Sequence, residues 1–287
     1  MRRLLILGHG YCARRFVALH GAAFGSIVAT RRTGSTEAVD RPVSALDFNG
    51  QPDEAIGAAF DEASHILATA PPGAEGDPFL PVLAAMAGAD RASRSVVYLS
   101  TIGVYGDRGG DWVDATAAPN PASERSRRRL AAEQDWAGFA KKTGASLAVL
   151  RLPGIYGPGR SVIDDLLAGS ARRIVKPGQV FNRIHVDDVA EAIGRAFERR
   201  FDGIVDIVDD APAPPQDVVT YAAGLLGLAP PPPVAFDAAS LTPMARSFYS
   251  ENKRVSNART RALLGWRPNF PTYREGLAAI LASRGSE

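Results

Sequence analysis

Through the first half of the chain, short unbroken apolar runs alternate with stretches whose apolar residues recur at helical spacing. The runs are Leu4-Leu5-Ile6-Leu7, Ile27-Val28-Ala29, Ile66-Leu67-Ala68, Ser95 to Ser100 and Ser146 to Arg151, and the mixed segment Val43 to Phe48 reads as a further strand. Unbroken runs of this length predict parallel strands buried on both faces. Tyr11 to His20, Pro78 to Ala89 and Ser123 to Lys142 read as helices, with Pro78 suited to a first helical turn. The alternation predicts an α/β fold with a doubly wound parallel sheet, and such sheets take ligands at the carboxyl ends of their strands. Ile204 to Val208 reads as one more strand. After it the proline runs Ala211 to Pro215 and Pro230 to Pro233 punctuate a third of the chain that predicts a small, irregular lobe.

The first strand runs directly into Gly8-His9-Gly10-Tyr11-Cys12-Ala13. In a G-x-G-x-x-A turn of this kind the first glycine permits the tight bend and the second lets backbone approach a pyrophosphate. The small third residue lets the helix pack closely on the strand. The helix N-terminus then turns its free N–H groups and partial positive charge toward the phosphates. His9, Tyr11 and Cys12 complete the predicted phosphate-binding turn. The second strand ends in Thr30-Arg31-Arg32, and no Asp or Glu precedes Glu37. NAD binders place an acid at this strand end to bond the ribose 2′-hydroxyl, whereas arginines match a 2′-phosphate. Arg31 and Arg32 therefore predict NADP as the cofactor.

Composition narrows the class. The chain has 287 residues, 46% hydrophobic, enough for one α/β unit or a large domain with a small one attached. Its 33 basic and 31 acidic residues give a net charge of +2, which offers no charge argument for nucleic acid or membrane partners. Cys12 is the single cysteine, which excludes an intrachain disulfide framework and fits a reducing compartment. With four scattered histidines it gives no metal-site spacing. The basic start Met1-Arg2-Arg3 is followed by an apolar run that stops at Gly8, too short for a signal peptide or a membrane span. These features predict a soluble cytoplasmic protein acting on a small molecule.

Four further segments resemble one family in its own order. They are Leu99 to Gly106 (Leu-Ser-Thr-Ile-Gly-Val-Tyr-Gly), Leu150 to Gly159 (Leu-Arg-Leu-Pro-Gly-Ile-Tyr-Gly-Pro-Gly), Arg183 to Ala190 (Arg-Ile-His-Val-Asp-Asp-Val-Ala) and Leu264 to Pro268 (Leu-Gly-Trp-Arg-Pro). Together with the glycine turn they resemble the extended short-chain dehydrogenases/reductases, the group of NAD(P)-dependent epimerases and dehydratases. The resemblance implies a Rossmann domain for NADP, residues 1–155 and 184–209, and a smaller C-terminal α+β substrate domain, residues 156–183 and 210–287. It implies that Asp47 and Phe48 flank the adenine, that Thr69, Ala70 and Pro71 line the cofactor's middle, and that Pro153 and Ile155 sit beside the nicotinamide amide. Thr101 is implied as the hydroxyl on a reacting oxygen, and Arg183 as the partner of a substrate phosphate or other anion. His185 is expected to make a structural hydrogen bond. Homodimerisation through the catalytic helix and its neighbour is also implied.

The same resemblance exposes a departure. Family members act through Tyr-x-x-x-Lys on one helix face, and Glu133 sets the register that aligns Arg125 with the tyrosine and Arg129 with the lysine. Arg129 is a permanent cation that can bond ribose hydroxyls. Arg125 is a poor general acid or base at neutral pH, because guanidinium stays protonated and offers no acceptor. It can clamp a carboxylate or phosphate, or stabilise an oxyanion. Tyr105, in the loop after the fifth strand, and Tyr156, after the sixth, are candidates for a replacement proton donor, although in the family such tyrosines mostly pack. Two readings stay open: an atypical NADP-dependent oxidoreductase or epimerase/dehydratase-like enzyme on an anionic or sugar-nucleotide substrate, and a non-catalytic NADP-binding sensor or scaffold.

Overall fold

The computed structural model of the chain describes residues 1–34, 42–51, 54–86 and 94–285. Seven strands form one parallel sheet: β1 (Arg3–Leu7), β2 (Ser26–Arg32), β3 (Val43–Phe48), β4 (His65–Ala68), β5 (Ser95–Thr101), β6 (Ser146–Leu152) and β7 (Gly203–Asp206). Their spatial order is β7-β6-β5-β4-β1-β2-β3. The order reverses between β1 and β4, and a crevice opens beyond the carboxyl ends at such a switch point. Leu4 to Leu7 are buried on both faces, as an unbroken apolar run requires.

The helices are α1 (Tyr11–His20), α2 (Glu54–Glu62), α3 (Leu80–Met86), α4 (Glu124–Thr143), α5 (Val162–Leu167), α6 (Val186–Glu198), α7 (Pro215–Leu225), α8 (Pro243–Phe248), α9 (Ala258–Leu264) and α10 (Tyr273–Arg284). Strand periodicity sorts the core. Leu4 and Ile6 pack with Ala13 and Phe16 of α1 and Val189 and Ile193 of α6. Leu5 and Leu7 pack on the other face with Ile56 and Phe60 of α2, Leu83 of α3 and Trp136 of α4. Among the described residues no helix is long and apolar enough to cross a membrane.

Several elements depart from the sequence expectation. Helix α2 had no strong periodic signal, since its buried anchors Ile56 and Phe60 stand among small residues. Helix α3 begins at Leu80 rather than Pro78, and the Asp77 carboxylate before it accepts the N–H groups of Phe79 (2.9 Å) and Leu80 (3.2 Å). The far end of the expected Pro78–Ala89 helix lies outside the described residues. The last sheet strand stops at Asp206 rather than Val208. The C-terminal third is also more regular than an irregular lobe. Pro215 opens α7, where a missing N–H costs nothing, and Pro233 opens the short strand Pro233–Ala235, which pairs in parallel with Arg173–Val175. Arg183–His185 pairs likewise with Gly154–Tyr156.

Helix α4 carries the candidate chemistry, so its placement matters. The Ser123 hydroxyl caps its start by accepting the Ser126 N–H (3.2 Å), and Gly144 ends it in the left-handed conformation (φ 73°). Ala132, Trp136, Phe139, Ala140 and Thr143 form its buried stripe. Within that apolar face Glu133 takes a two-armed bond from Arg151 of β6 (3.1 and 2.7 Å) and a bond from the Ser100 hydroxyl of β5. Removing one partner of a buried pair leaves an uncompensated charge. Glu133→Ala is therefore expected to lower the unfolding free energy by about 3–5 kcal/mol in urea denaturation. A change below about 1 kcal/mol, the usual value of an exposed pair, would show that the pair does not anchor the helix.

Candidate active site

The glycine turn is built as the crevice requires. Gly8 has φ 97°, and a Cβ there would stand 3.1 Å from Ala70 Cβ and 3.2 Å from Thr69 Oγ1. Its N–H donates to Thr30 Oγ1 (2.9 Å), and the His9 N–H donates to the Thr30 carbonyl (3.1 Å). At Gly10 an added Cβ would meet nothing within 4 Å, so that side of the turn faces open space. Helix α1 starts there with no side-chain cap and no acidic residue in its first turn. An open glycine backed by an uncapped helix N-terminus fits a cofactor pyrophosphate. Cys12 is part of the packing behind the turn; burial pushes its thiol up to about 11, which keeps it protonated and unreactive at neutral pH.

At the tip of β2, Arg31 Nε donates to Asp47 Oδ1 at 2.7 Å, and Arg32 is exposed. Phe48 is buried and stacks on Phe79 with ring centroids 4.3 Å apart. Asp47, expected beside the adenine, is thus also the residue that orients Arg31.

Two cavities meet at the carboxyl edge of the sheet. One, of about 340 Å³, runs from Gly10, Tyr11 and Cys12 past Thr69 to Arg129. The other, of about 680 Å³, reaches from Thr101 to Arg183, Lys253 and Tyr249. Thr101, Arg125, Pro153, Ile155, Arg160 and Phe248 line both. Thr101 Oγ1 accepts the Gly103 N–H (3.1 Å), which leaves its O–H free to donate into the junction. Arg129 reaches across β5, with Nη1 bonded to the Leu99 carbonyl (2.9 Å), the Tyr98 hydroxyl (3.1 Å) and the Ala70 carbonyl (3.4 Å). Arg125, one helical turn earlier, lies 4.6 Å over the Phe248 ring. Arg183 donates Nη1 to the carbonyls of Phe181 (2.9 Å) and Ala213 (3.1 Å) at the wall of the larger cavity, where burial lowers its affinity for the proton. His185 plays the expected structural part, its Nδ1 accepting the Asp187 N–H (3.2 Å) to cap α6. Burial pushes its ring down to about 4, so it is neutral and able to accept.

Tyr105 corrects an expectation. It lines neither cavity. It is buried in the core, its hydroxyl donates to Asp206 Oδ1 (2.7 Å), and Arg151 covers its ring at 4.9 Å. Burial, with the Asp206 carboxyl beside it, drives its pKa far upward, so it cannot supply protons to the site. Arg160 and Phe248 are the junction residues that the sequence reading missed. Arg160 directly follows the Gly157-Pro158-Gly159 turn, a signal that was available, whereas Phe248 lies in a segment without any motif.

Comparison with known proteins gives concordant matches. The NAD dependent epimerase/dehydratase family matches residues 78–207. A 3-diazoavenalumate denitrifying reductase from a Streptomyces species is 32% identical over 160 residues, 52% of this chain and 49% of that protein. The chain thus spans about half the length of the curated relatives it matches. A solved structure of a functionally unknown conserved protein from Silicibacter pomeroyi is 43% identical, with a TM-score of 0.86 and 99% of each chain covered. A putative NAD-dependent epimerase/dehydratase from Methylobacillus flagellatus is 25% identical, with a TM-score of 0.75 and the same coverage.

The buried acids behind the site set a pH dependence. Burial raises Asp206 and Asp209 each to about 7 and Asp188 to about 6, the bonds to each opposing that rise. Their neutral forms are therefore favoured in the folded state. The stability they contribute is complete below the ordinary carboxyl range of about 4 and is lost as pH rises through about 7. The thermal midpoint should fall across that window, and Asp206→Asn, which still accepts the Tyr105 hydroxyl, should make the fall shallower. Superimposable midpoint-against-pH curves for the two proteins would contradict this.

Proposed function

We propose that this chain, which belongs to the NAD-dependent epimerase/dehydratase family, is an NADP-dependent reductase of a small anionic acceptor. The observation that carries the reading is the meeting of the two cavities at Thr101 and Arg125. One cavity begins at an open glycine and an uncapped helix, and the other is walled by cationic side chains. A reductase-like protein of a nicotinamide-dependent family also accords with the 32% identical 3-diazoavenalumate denitrifying reductase.

When bound, the nicotinamide cofactor supplies a hydride. The residues of this chain do the rest. Gly8, Gly10 and the start of α1 hold the pyrophosphate. Arg31, oriented by Asp47, and Arg32 take the 2′-phosphate that distinguishes NADP. His9, Tyr11, Thr69, Ala70 and Pro71 line the middle of the cofactor, and Pro153 and Ile155 stand beside its amide. Arg129 presents the edge of its guanidinium that is not committed to β5 to the ribose hydroxyls. Thr101 donates its free O–H to the acceptor atom that gains charge, and Arg125 stabilises that charge without giving up a proton. The proton comes from solvent: Arg125 keeps its own, and Tyr105 is sealed in the core. Arg183 adds positive charge to the wall of the acceptor cavity.

A second reading is favoured by two observations: helix α4 contains no tyrosine, and Tyr105 is inaccessible. On that reading the chain binds NADP as a sensor or scaffold. Two measurements separate the readings. In a fluorescence titration NADPH should bind more tightly than NADH, and Arg32→Ala should cost about tenfold for NADPH only, the worth of one charge-assisted contact. With a panel of carbonyl, carboxylate and sugar-nucleotide acceptors, the reductase should oxidise NADPH, and Thr101→Ala should slow it about a hundredfold. Tight NADPH binding with no turnover on any acceptor would leave the sensor, and equal affinity for NADH would remove NADP.

A further inference from the structure

We propose that Arg125 and Arg160 form a two-armed carboxylate site at the junction of the cavities, and that its ligand is an amphipathic carboxylate with an apolar, ring-sized body. This deepens the reductase reading and rests on it only for the acceptor's being the molecule bound there.

The two guanidiniums are set apart by what they do not bond. Arg172 donates to the Ser240 carbonyl, Arg183 to two carbonyls, and Lys253 to the Gly106 carbonyl and Glu251 (2.6 Å each). Among the described residues, Arg125 and Arg160 are the basic side chains of the larger cavity that make no hydrogen bond or ion pair, and both also line the smaller cavity. Each instead lies over an aromatic ring, Arg125 over Phe248 at 4.6 Å and Arg160 over Tyr11 at 5.6 Å. A guanidinium held over a ring, with no polar partner, leaves its N–H donors unoccupied. The Tyr11 hydroxyl donates to the Pro158 carbonyl (3.1 Å), which ties that shelf to the loop carrying Arg160. Two planar forks at one junction match the two oxygens of a carboxylate.

The rest of the cavity says what the head is attached to. Much of its polar lining is already used internally. Asn182 donates to the Lys253 carbonyl (3.0 Å) and accepts the Val255 N–H (2.8 Å). The hydroxyls of Ser170 and Ser247 donate to the carbonyls of Asp165 (3.2 Å) and Met244 (2.7 Å). Beside the Thr101 hydroxyl and the Asp165 carboxylate, what remains open is apolar: Ile102, Ile174, Val180, Phe181, Leu241 and the Tyr249 ring. A sugar nucleotide would bring many hydroxyl and base-edge groups to a wall with few unused partners, and each unpaired buried polar group costs about 1–3 kcal/mol. An aromatic or aliphatic body costs nothing there, and the 680 Å³ volume suits a small molecule.

The test is calorimetric titration of the protein saturated with NADP, using benzoate, cinnamate and 2-naphthoate, each against its own amide, and UDP-glucose. At least one carboxylate should bind about tenfold more tightly than its amide. Arg125→Leu and Arg160→Leu should each remove about that factor, and Arg160→Lys should restore part of it. Both positions are exposed, so the thermal midpoints should stay at the wild-type value. Amides that bind as well as the acids, no carboxylate binding, or UDP-glucose binding above every carboxylate would overturn the proposal. So would a loss of NADP affinity in Arg160→Leu equal to its loss of carboxylate affinity, since Arg160 would then belong to the cofactor. Failure of the wild-type protein to bind NADP would instead strike the reductase reading itself.

Discussion

The site hangs from one buried ion pair. Glu133 and Arg151 are 4% and 2% exposed, and they join α4 to β6 inside an otherwise apolar layer. A pair so deep is tolerable only when its bonding capacity is nearly filled. Both Glu133 oxygens are bonded, one of them also by Ser100, so β5 is tied in as well. The Arg151 nitrogen that finds no hydrogen-bond partner belongs to a guanidinium lying against the Tyr105 face, and Tyr105 in turn donates to Asp206 of β7. Three adjacent strands and one helix are thereby held in a single register. Thr101 follows Ser100, Pro153 follows the end of β6, and Arg129 and Arg125 stand one and two turns before Glu133 on the same helical face. Any sliding of α4 would carry Arg125 and Arg129 away from Thr101 and Pro153.

This network explains why Tyr105 was a misleading candidate. Its neighbours in sequence, Thr101 to Gly103, line the larger cavity, and a loop tyrosine after a central strand reads as accessible. Its hydroxyl is consumed by Asp206, a residue about a hundred positions away that no local pattern connects to it. Buried polar groups must find partners, but the sequence does not say which distant partner is available.

The two halves of the site were legible to different degrees for a physical reason. The cofactor half depends on backbone: Gly8 needs positive φ, Gly10 needs the missing Cβ, and the helix dipole follows from the strand-turn-helix order. Such requirements leave a compact local pattern, and Gly10, Tyr11, Cys12, Thr69, Arg129, Pro153 and Ile155 do gather around one cavity. The acceptor half depends on side chains delivered by separate elements: Arg160 from the loop before α5, Phe248 from the end of α8, Lys253 and Tyr249 from the connection between α8 and α9. The short parallel strand pairs that bring these together have two or three residues each, too few for any periodicity to show.

Placing arginine at both positions 125 and 129 changes the kind of site this is. A phenol and an ammonium in a cleft shift their charge with pH and with each other, whereas two guanidiniums hold theirs across the physiological range. The junction therefore offers fixed positive potential and hydrogen-bond donors, with no side chain that both gives and takes a proton near neutrality. Such a junction favours molecules that arrive negatively charged or become so as a hydride is received. The apolar cavity beyond it sharpens the choice, because an anion whose charge is confined to one end can place that end on Arg125 and Arg160 and leave the remainder in contact with Ile174, Val180 and Phe181. Specificity of this form needs rigid shelves more than many contacts. Phe248 and Tyr11 supply them, each lying under a guanidinium whose donors no other group takes.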